Sequence, residues 1–194
     1  MIDDWKFVKE VHKFNQLPDD SIPEFVFWGR SNVGKSSLIN FIVKKNIAKT
    51  SRTPGRTKSL VIFQFKKDFR IIDMPGYGFS KISKTDEVKL DKLLETYFKK
   101  RENIKNIFIL IDSRHLLKEI DSQIINQLNL ITEKKIILIF TKFDKIKSKA
   151  EKEKKYIDIE KLKIKLHKNV FNTSIKESSG IVLLKKFLYK SIIK

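Results

Sequence analysis

Two hydrophobic rhythms alternate along the chain. Short stretches built around an apolar run fall at 24–28 (EFVFW), 59–65 (SLVIFQF), 69–74 (FRIIDM), 105–112 (KNIFILID), 135–142 (KIILIFTK) and 169–174 (NVFNTS). Runs this short, apolar at every position near 107–111 and 136–140, predict strands covered on both faces. Between them, apolar residues recur at helical spacing. This predicts helices over about 36–45, 86–101, 117–132, 148–167 and 178–193, with a short one near 4–13. Residues 147–166 (KSKAEKEKKYIDIEKLKIKL) are mostly polar, yet Ile157, Leu162 and Leu166 share one helical face, so the stretch reads as a solvated helix. Only Lys66, Lys67 and Asp68 separate the second and third strands, a hairpin that makes one strand antiparallel. The pattern predicts an α/β fold: three α/β/α layers around a six-stranded, mostly parallel sheet with one antiparallel strand. No internal repeat or Pro/Gly/Ser-rich linker divides the chain. Residues 1–194 therefore read as a single domain with a short N-terminal extension at about 1–22.

Composition narrows the setting. No window is long and uncharged enough to span a bilayer, and the N-terminal MIDDWKFVKEVHK lacks the basic-then-apolar order of a secretory signal. The absence of cysteine rules out disulfides and thiolate metal sites and fits a reducing cytosol. The expected setting is therefore cytoplasmic, without stable membrane association. The chain carries 42 Lys+Arg against 23 Asp+Glu, a net +19. Such an excess favours polyanionic partners through counterion release. A chain rich in Lys, Ile and Asn reaches the same excess through composition alone, so both explanations stand. His12, His115 and His167 lack metal-ligand spacing.

The chemistry concentrates at strand ends. GRSNVGKSS (29–37) matches G-x-x-x-x-G-K-[ST] directly after the first predicted parallel strand. Gly29 and Gly34 let backbone N–H groups approach phosphate oxygens without a Cβ, and Lys35 brings a charge to the outer phosphates. The Ser36 hydroxyl can ligate Mg²⁺, and the following helix points its positive end at the same anion. FTKFD (140–144) lies at the end of a buried strand, where open α/β sheets bind ligands. A carboxylate at Asp144 can accept from guanine N1–H and the exocyclic amine. Adenine offers neither and would leave that carboxylate unpaired. The Lys142 stem can cover the purine face. DMPG (73–76) supplies Asp73 for a Mg²⁺-bound water and Gly76 for a γ-phosphate contact. TSIK (173–176) supplies backbone N–H groups of Ser174 and Ile175 for guanine O6. Four boxes in this order point to a GTPase of the P-loop class.

LPDDSIPEFVFWGRSNVGKSSLIN, TPGRT, IIDMPGYGFSK, DSRH and FTKFD together resemble the EngB family of small bacterial GTPases over nearly the whole chain. The resemblance implies GTP and GDP binding, slow GTP hydrolysis, Mg²⁺, and a role in maturing the large ribosomal subunit, with an indirect link to cell division. By motif, Gly29, Arg30, Ser31, Asn32, Val33, Gly34, Lys35, Ser36 and Ser37 would surround the phosphates. Gly55, Arg56, Thr57, Lys58 and Ser59 would form the first switch, with Thr57 as second Mg²⁺ ligand beside Ser36. Asp73, Met74, Pro75 and Gly76 would form the second switch. Thr141, Lys142, Phe143 and Asp144 would read the base, and Thr173, Ser174 and Ile175 would complete it. Trp28 and Lys58 depart from residues frequent in the family, and NTSIKESSG leaves the last box open by one residue.

Where many GTPases carry a water-orienting Gln after D-x-x-G, this chain has Tyr77. An aromatic ring cannot align water as a carboxamide does, so slow intrinsic hydrolysis by Lys35, Thr57 and Gly76 is expected. An external activator would complete the site. One candidate is K⁺ held near Asn32 and another is the ribosome. Asn32 could equally serve its own loop. The basic segment 49–59 (KTSRTPGRTKS) overlaps the first switch. It would display or hide Arg52, Arg56 and Lys58 with nucleotide state, or it is a charged loop that only keeps itself solvated. The expected partners are GTP or GDP and the large ribosomal subunit or its rRNA, with no DNA and a monomeric chain. A signalling or membrane-associated GTPase, an RNA-binding protein merely stabilised by nucleotide, and an ATPase are the competing functions.

Overall fold

The computed structural model describes residues 4–48, 59–78, 83–115, 117–146, 148 and 166–193, the backbone alone for 166–169. Its strands are β1 (Trp5–Val11), β2 (Glu24–Gly29), β3 (Leu60–Phe65), β4 (Phe69–Asp73), β5 (Ile104–Asp112), β6 (Lys135–Thr141) and β7 (Leu166–Asn172). Its helices are α1 (Lys35–Val43), α2 (Lys84–Lys100), α3 (Glu119–Ile131) and α4 (Ser179–Lys190). The strands form one sheet in the order β1-β3-β4-β2-β5-β6-β7. β2 pairs in parallel with β4 and β5, β5 with β6, and β6 with β7. β3 is antiparallel to both β1 and β4, so it alone runs against the other six strands.

The sheet has seven strands where the hydrophobic pattern predicts six, because the predicted helix near 4–13 is a strand. Trp5, Val8 and Val11 are three apart, which mimics a helical face. In the structure the register shifts between Phe7 and Lys9, a β-bulge. The bulge moves the buried side of the strand. Trp5 packs into the core on one face of the sheet, while Val8 and Val11 pack into the core on the other. The predicted helix over 148–167 falls mostly outside the described residues. Its last two positions, Leu166 and His167, open β7.

Alternation along the central strands builds two cores. Phe25, Phe27, Phe108 and Leu110 face α1 and α4. Val26, Trp28, Ile107 and Ile109 face α2 and α3. Both helix layers thus bury an apolar stripe against one sheet, the three-layer arrangement expected of near-continuous apolar strands. Helix α2 shows local signals as well. Ser83 caps its start by accepting from the Asp86 amide at 3.2 Å, acids fill the first turn and lysines the last. β2 feeds α1 on one face and lies between β4 and β5. Its carboxyl end therefore sits where the chain winds both ways, at the crevice in which α/β sheets hold ligands.

Candidate nucleotide site

β2, every residue of it buried, delivers Gly29 to this edge. A Cβ on Gly29 would stand 2.9 Å from the Leu110 carbonyl oxygen and 3.0 Å from Val33, so only glycine lets the strand lie this close to β5. Residues 30–34 then turn tightly. Asn32 and Gly34 both have positive φ (63° and 103°), a cost for Asn32 and none for Gly34. Gly34 caps α1 without a side-chain bond, and no acid occupies the first turn, which leaves the helix N-terminus open to an anion. Lys35 Nζ pairs with the Asp73 carboxylate, both side chains being about nine-tenths buried. Neither the Ser36 hydroxyl nor the Asn32 carboxamide takes a hydrogen bond among the described residues.

The turn after β4 is fastened to this loop. Met74 N–H donates to the Phe27 carbonyl at 3.0 Å, and the Pro75 carbonyl accepts from Trp28 Nε1 at 2.8 Å. Trp28 therefore anchors the DMPG turn. A Cβ on Gly76 would lie 2.8 Å from Ser31 Oγ, so Gly76 is needed for this contact as well as for any ligand. Tyr77 bridges Arg30 in backbone pairing, and its hydroxyl donates to Asp121 Oδ1 at 2.8 Å. Burial first, then the neighbouring Asp121 charge, pushes the Tyr77 phenol far above its ordinary pKa, so it stays protonated. The Tyr77 side chain is thereby committed to α3, where Asp121 also receives the Lys118 amide at 2.9 Å.

The two downstream boxes meet the phosphate loop at β6 and β7. Thr141 Oγ1 donates to the Val33 carbonyl at 2.6 Å, tying the base box to the loop. Lys142 has φ 54° and reaches back, donating from Nζ to the Asn32 carbonyl and to Asp112 Oδ2, both at 2.8 Å. Phe143 N–H bonds the Thr173 carbonyl at 3.1 Å, which brings the TSIK box alongside. Ser174 Oγ then donates to Asp144 Oδ1 at 2.7 Å. Gly34, Ser37, Thr141, Lys142, Asp144 and Ser174 line a cavity of about 200 Å³, with Thr173 and the exposed Ile175 at its wall.

Sequence order thus becomes spatial proximity for residues 29–37, 73–76, 141–144 and 173–175. Ser59 is described and buried, but its hydroxyl lies 3.4 Å from Glu10 on β1. Gly55, Arg56, Thr57 and Lys58, like Arg52, lie outside the described residues. Sequence reasoning missed Asp112, from DSRH, and Asp121. The available signal for Asp112 was its place at the carboxyl end of an apolar strand, beside the base box. Burial works against the Asp112 charge. Hydrogen bonds from Arg114 and Lys142 outweigh it and hold the carboxyl well below the usual range, so Asp112 stays ionised.

A family model described as a 50S ribosome-binding GTPase matches residues 24–142. Over 148 residues the chain is 41% identical to the probable GTP-binding protein EngB of Desulfotalea psychrophila, covering 75% of each chain. The crystal structure of a probable GTP-binding protein engB matches with TM-score 0.69 and 26% identity, over 87% of this chain and 98% of that one. Era, solved with MgGDPNP and a piece of 16S ribosomal RNA, shares the fold at TM-score 0.71. Its identity is 21%, over 90% of this chain and 58% of Era.

Proposed function

Because the chain belongs to the EngB family of P-loop GTPases, we propose that it is a slow, nucleotide-gated switch in assembly of the large ribosomal subunit. The observation that carries the nucleotide end of this proposal is Asp144. Its carboxylate borders the cavity beside Gly34 and Lys142, with one oxygen held by Ser174. Guanine would give it two donors, N1–H and the amine. Adenine would leave it desolvated and unpaired.

The residues present fit a Mg²⁺ ion. Ser36 offers a hydroxyl without a partner among the described residues, and Asp73 has a second carboxylate oxygen beyond the one paired with Lys35. Hard oxygens this few suit an ion that keeps several waters and takes phosphate oxygens. Bound there, Mg²⁺ would neutralise charge on the phosphates; Thr57 belongs to the same proposal. Lys35 would turn from Asp73 toward the outer phosphates. The open start of α1 and the N–H groups of 29–37 would receive the rest of the anion.

Hydrolysis is slow in this scheme because Tyr77, held on Asp121, orients no water. An outside group completes the transition state, whether K⁺ at Asn32 or the ribosome. The carboxamide of Asn32, unengaged within its own loop, supports the K⁺ alternative. Equal turnover in KCl and NaCl at matched ionic strength would dismiss it. The net charge of +19 and the name of the matching family support a ribosomal partner over a signalling role. Co-sedimentation with large ribosomal subunits tests the whole: binding should be stronger with a non-hydrolysable GTP analogue than with GDP. Equal binding in both states, or none, removes the switch. Thermal shift should show stabilisation by GDP and not by ADP.

A further inference from the structure

We infer that Asp112 is a positioning residue for Lys142: it fixes the lysine ammonium against the phosphate loop, so that the lysine stem stands as a preformed wall of the purine cavity. This rests on the guanine proposal above. Asp112 is the last residue of β5 and pairs in register with Thr141, the last residue of β6. The residue after Thr141 is Lys142, whose positive φ turns its side chain back over this edge. Its ammonium then has two fixed acceptors, the Asn32 carbonyl and Asp112 Oδ2. A lysine ammonium has three donors, so one N–H and the aliphatic stem are left for a ligand. Without Asp112 the flexible side chain would have to be ordered at the moment of binding, which weakens affinity.

The two carboxylate oxygens divide their work. Oδ1 accepts from the Arg114 amide and Arg114 Nε, both at 3.0 Å, and shapes the turn after β5. Oδ2 accepts from Lys142 at 2.8 Å and from Arg114 Nη2 at 2.7 Å. Asp112 is 4% exposed, while the Arg114 side chain is 45% exposed. Asp112→Asn keeps an oxygen for the Arg114 amide and sets an NH₂ group against the lysine. It therefore breaks the positioning contact while sparing the turn.

The test is a double-mutant cycle on GDP affinity by calorimetry, with wild type, D112N, K142A and D112N/K142A, and R114A as the comparison. Each protein's urea midpoint is measured without nucleotide. D112N should weaken GDP about tenfold and K142A by at least as much. The double variant should be no more than about twofold weaker than K142A, because Asp112 acts only through that lysine. R114A should stay within about threefold of wild type. Additive losses, unchanged affinity in D112N, or a loss in R114A equal to that in D112N would each overturn the assignment. Asp112→Ser, whose hydroxyl can still hold the turn, replaces D112N should the latter fail to fold. Equal binding of GDP and ADP by the wild type would instead sink the guanine proposal. Selective GDP binding with an additive cycle would sink only the role of Asp112.

Discussion

At the amino end of the strands, Glu24 opens β2, is fully buried, and has both oxygens engaged. It accepts from Tyr97 Oη at 2.8 Å and from Arg101 Nη2 at 2.6 Å. Arg70 lies 3.7 Å away and forks onto Asp20 at 2.7 and 2.5 Å, while its Nε donates to Gln64. Burial opposes the Arg101 charge, but its bond to Glu24 wins and raises its pKa; burial pushes the Tyr97 phenol well up. At the carboxyl end of the same strands, Asp73, Asp112 and Thr141 are terminal residues too. There the partners are incomplete among the described residues: the Ser36 hydroxyl has no hydrogen bond, Lys142 keeps a donor, and Asp144 has one oxygen on Ser174. The residue types are similar at both ends. The amino end saturates them within the protein, and the carboxyl end leaves valences open, those of Lys142 and Asp144 at the wall of one cavity. A buried network that satisfies itself specifies the fold, whereas an unsaturated one at a strand-end crevice is available for a ligand.

Removing Glu24 should show the contrast most strongly. Glu24→Ala leaves Arg101 and the Tyr97 phenol without their acceptor and takes a buried countercharge from beside Arg70, and should cost about 3–5 kcal/mol of stability. Urea unfolding checks this, with GDP affinity of the folded protein expected within about threefold of wild type. A stability loss under about 1 kcal/mol would mean the amino-end network is not a structural clasp. The converse variant, Asp144→Asn, should weaken GDP about a hundredfold, near 2.7 kcal/mol. Its stability without nucleotide should change by less than about 1 kcal/mol, since Ser174 still finds an acceptor. A large loss of stability there would erase the contrast between the two ends.

Tyr77→Phe removes one hydroxyl bond to Asp121. It should lower stability by about 1 kcal/mol and leave single-turnover hydrolysis within about twofold. A larger fall in rate would make Tyr77 a participant in the chemistry and not a strut. Acid titration should have the smallest effect near neutrality. Asp112 and Asp20 both have carboxyls held below their ordinary range, Asp20 chiefly by its bond from Arg70. A depressed folded-state pKa stabilises above the unfolded value of about 4, and that contribution fades as pH falls through the folded value. These groups should leave stability flat between about pH 5 and 8 and erode it below about pH 4. In D112N the acid loss should be shallower, which a series of urea midpoints would detect.

Local patterns had clear limits at two places. The bulge in β1 gave Trp5, Val8 and Val11 a three-residue spacing that reads as helix, because a register shift that swaps sheet faces leaves no mark in composition. The pairing of Asp112 with Lys142, thirty residues apart, was equally hidden: it depends on which residues of β5 and β6 stand opposite each other. The phosphate loop, DMPG and TKFD were legible because each packs its chemistry into a few adjacent residues.

The sequence by itself determined the strand-and-helix alternation, the antiparallel hairpin, and the four boxes in order, since periodicity and short-range turn chemistry are local properties of a chain. Only the tertiary structure decided that 5–11 joins the sheet, that Trp28 clamps Pro75, that Tyr77 turns to Asp121, and that Asp112 anchors Lys142. Each of those is a contact between distant segments. Strand register and the competition among buried polar groups for partners settle such contacts after the chain has packed.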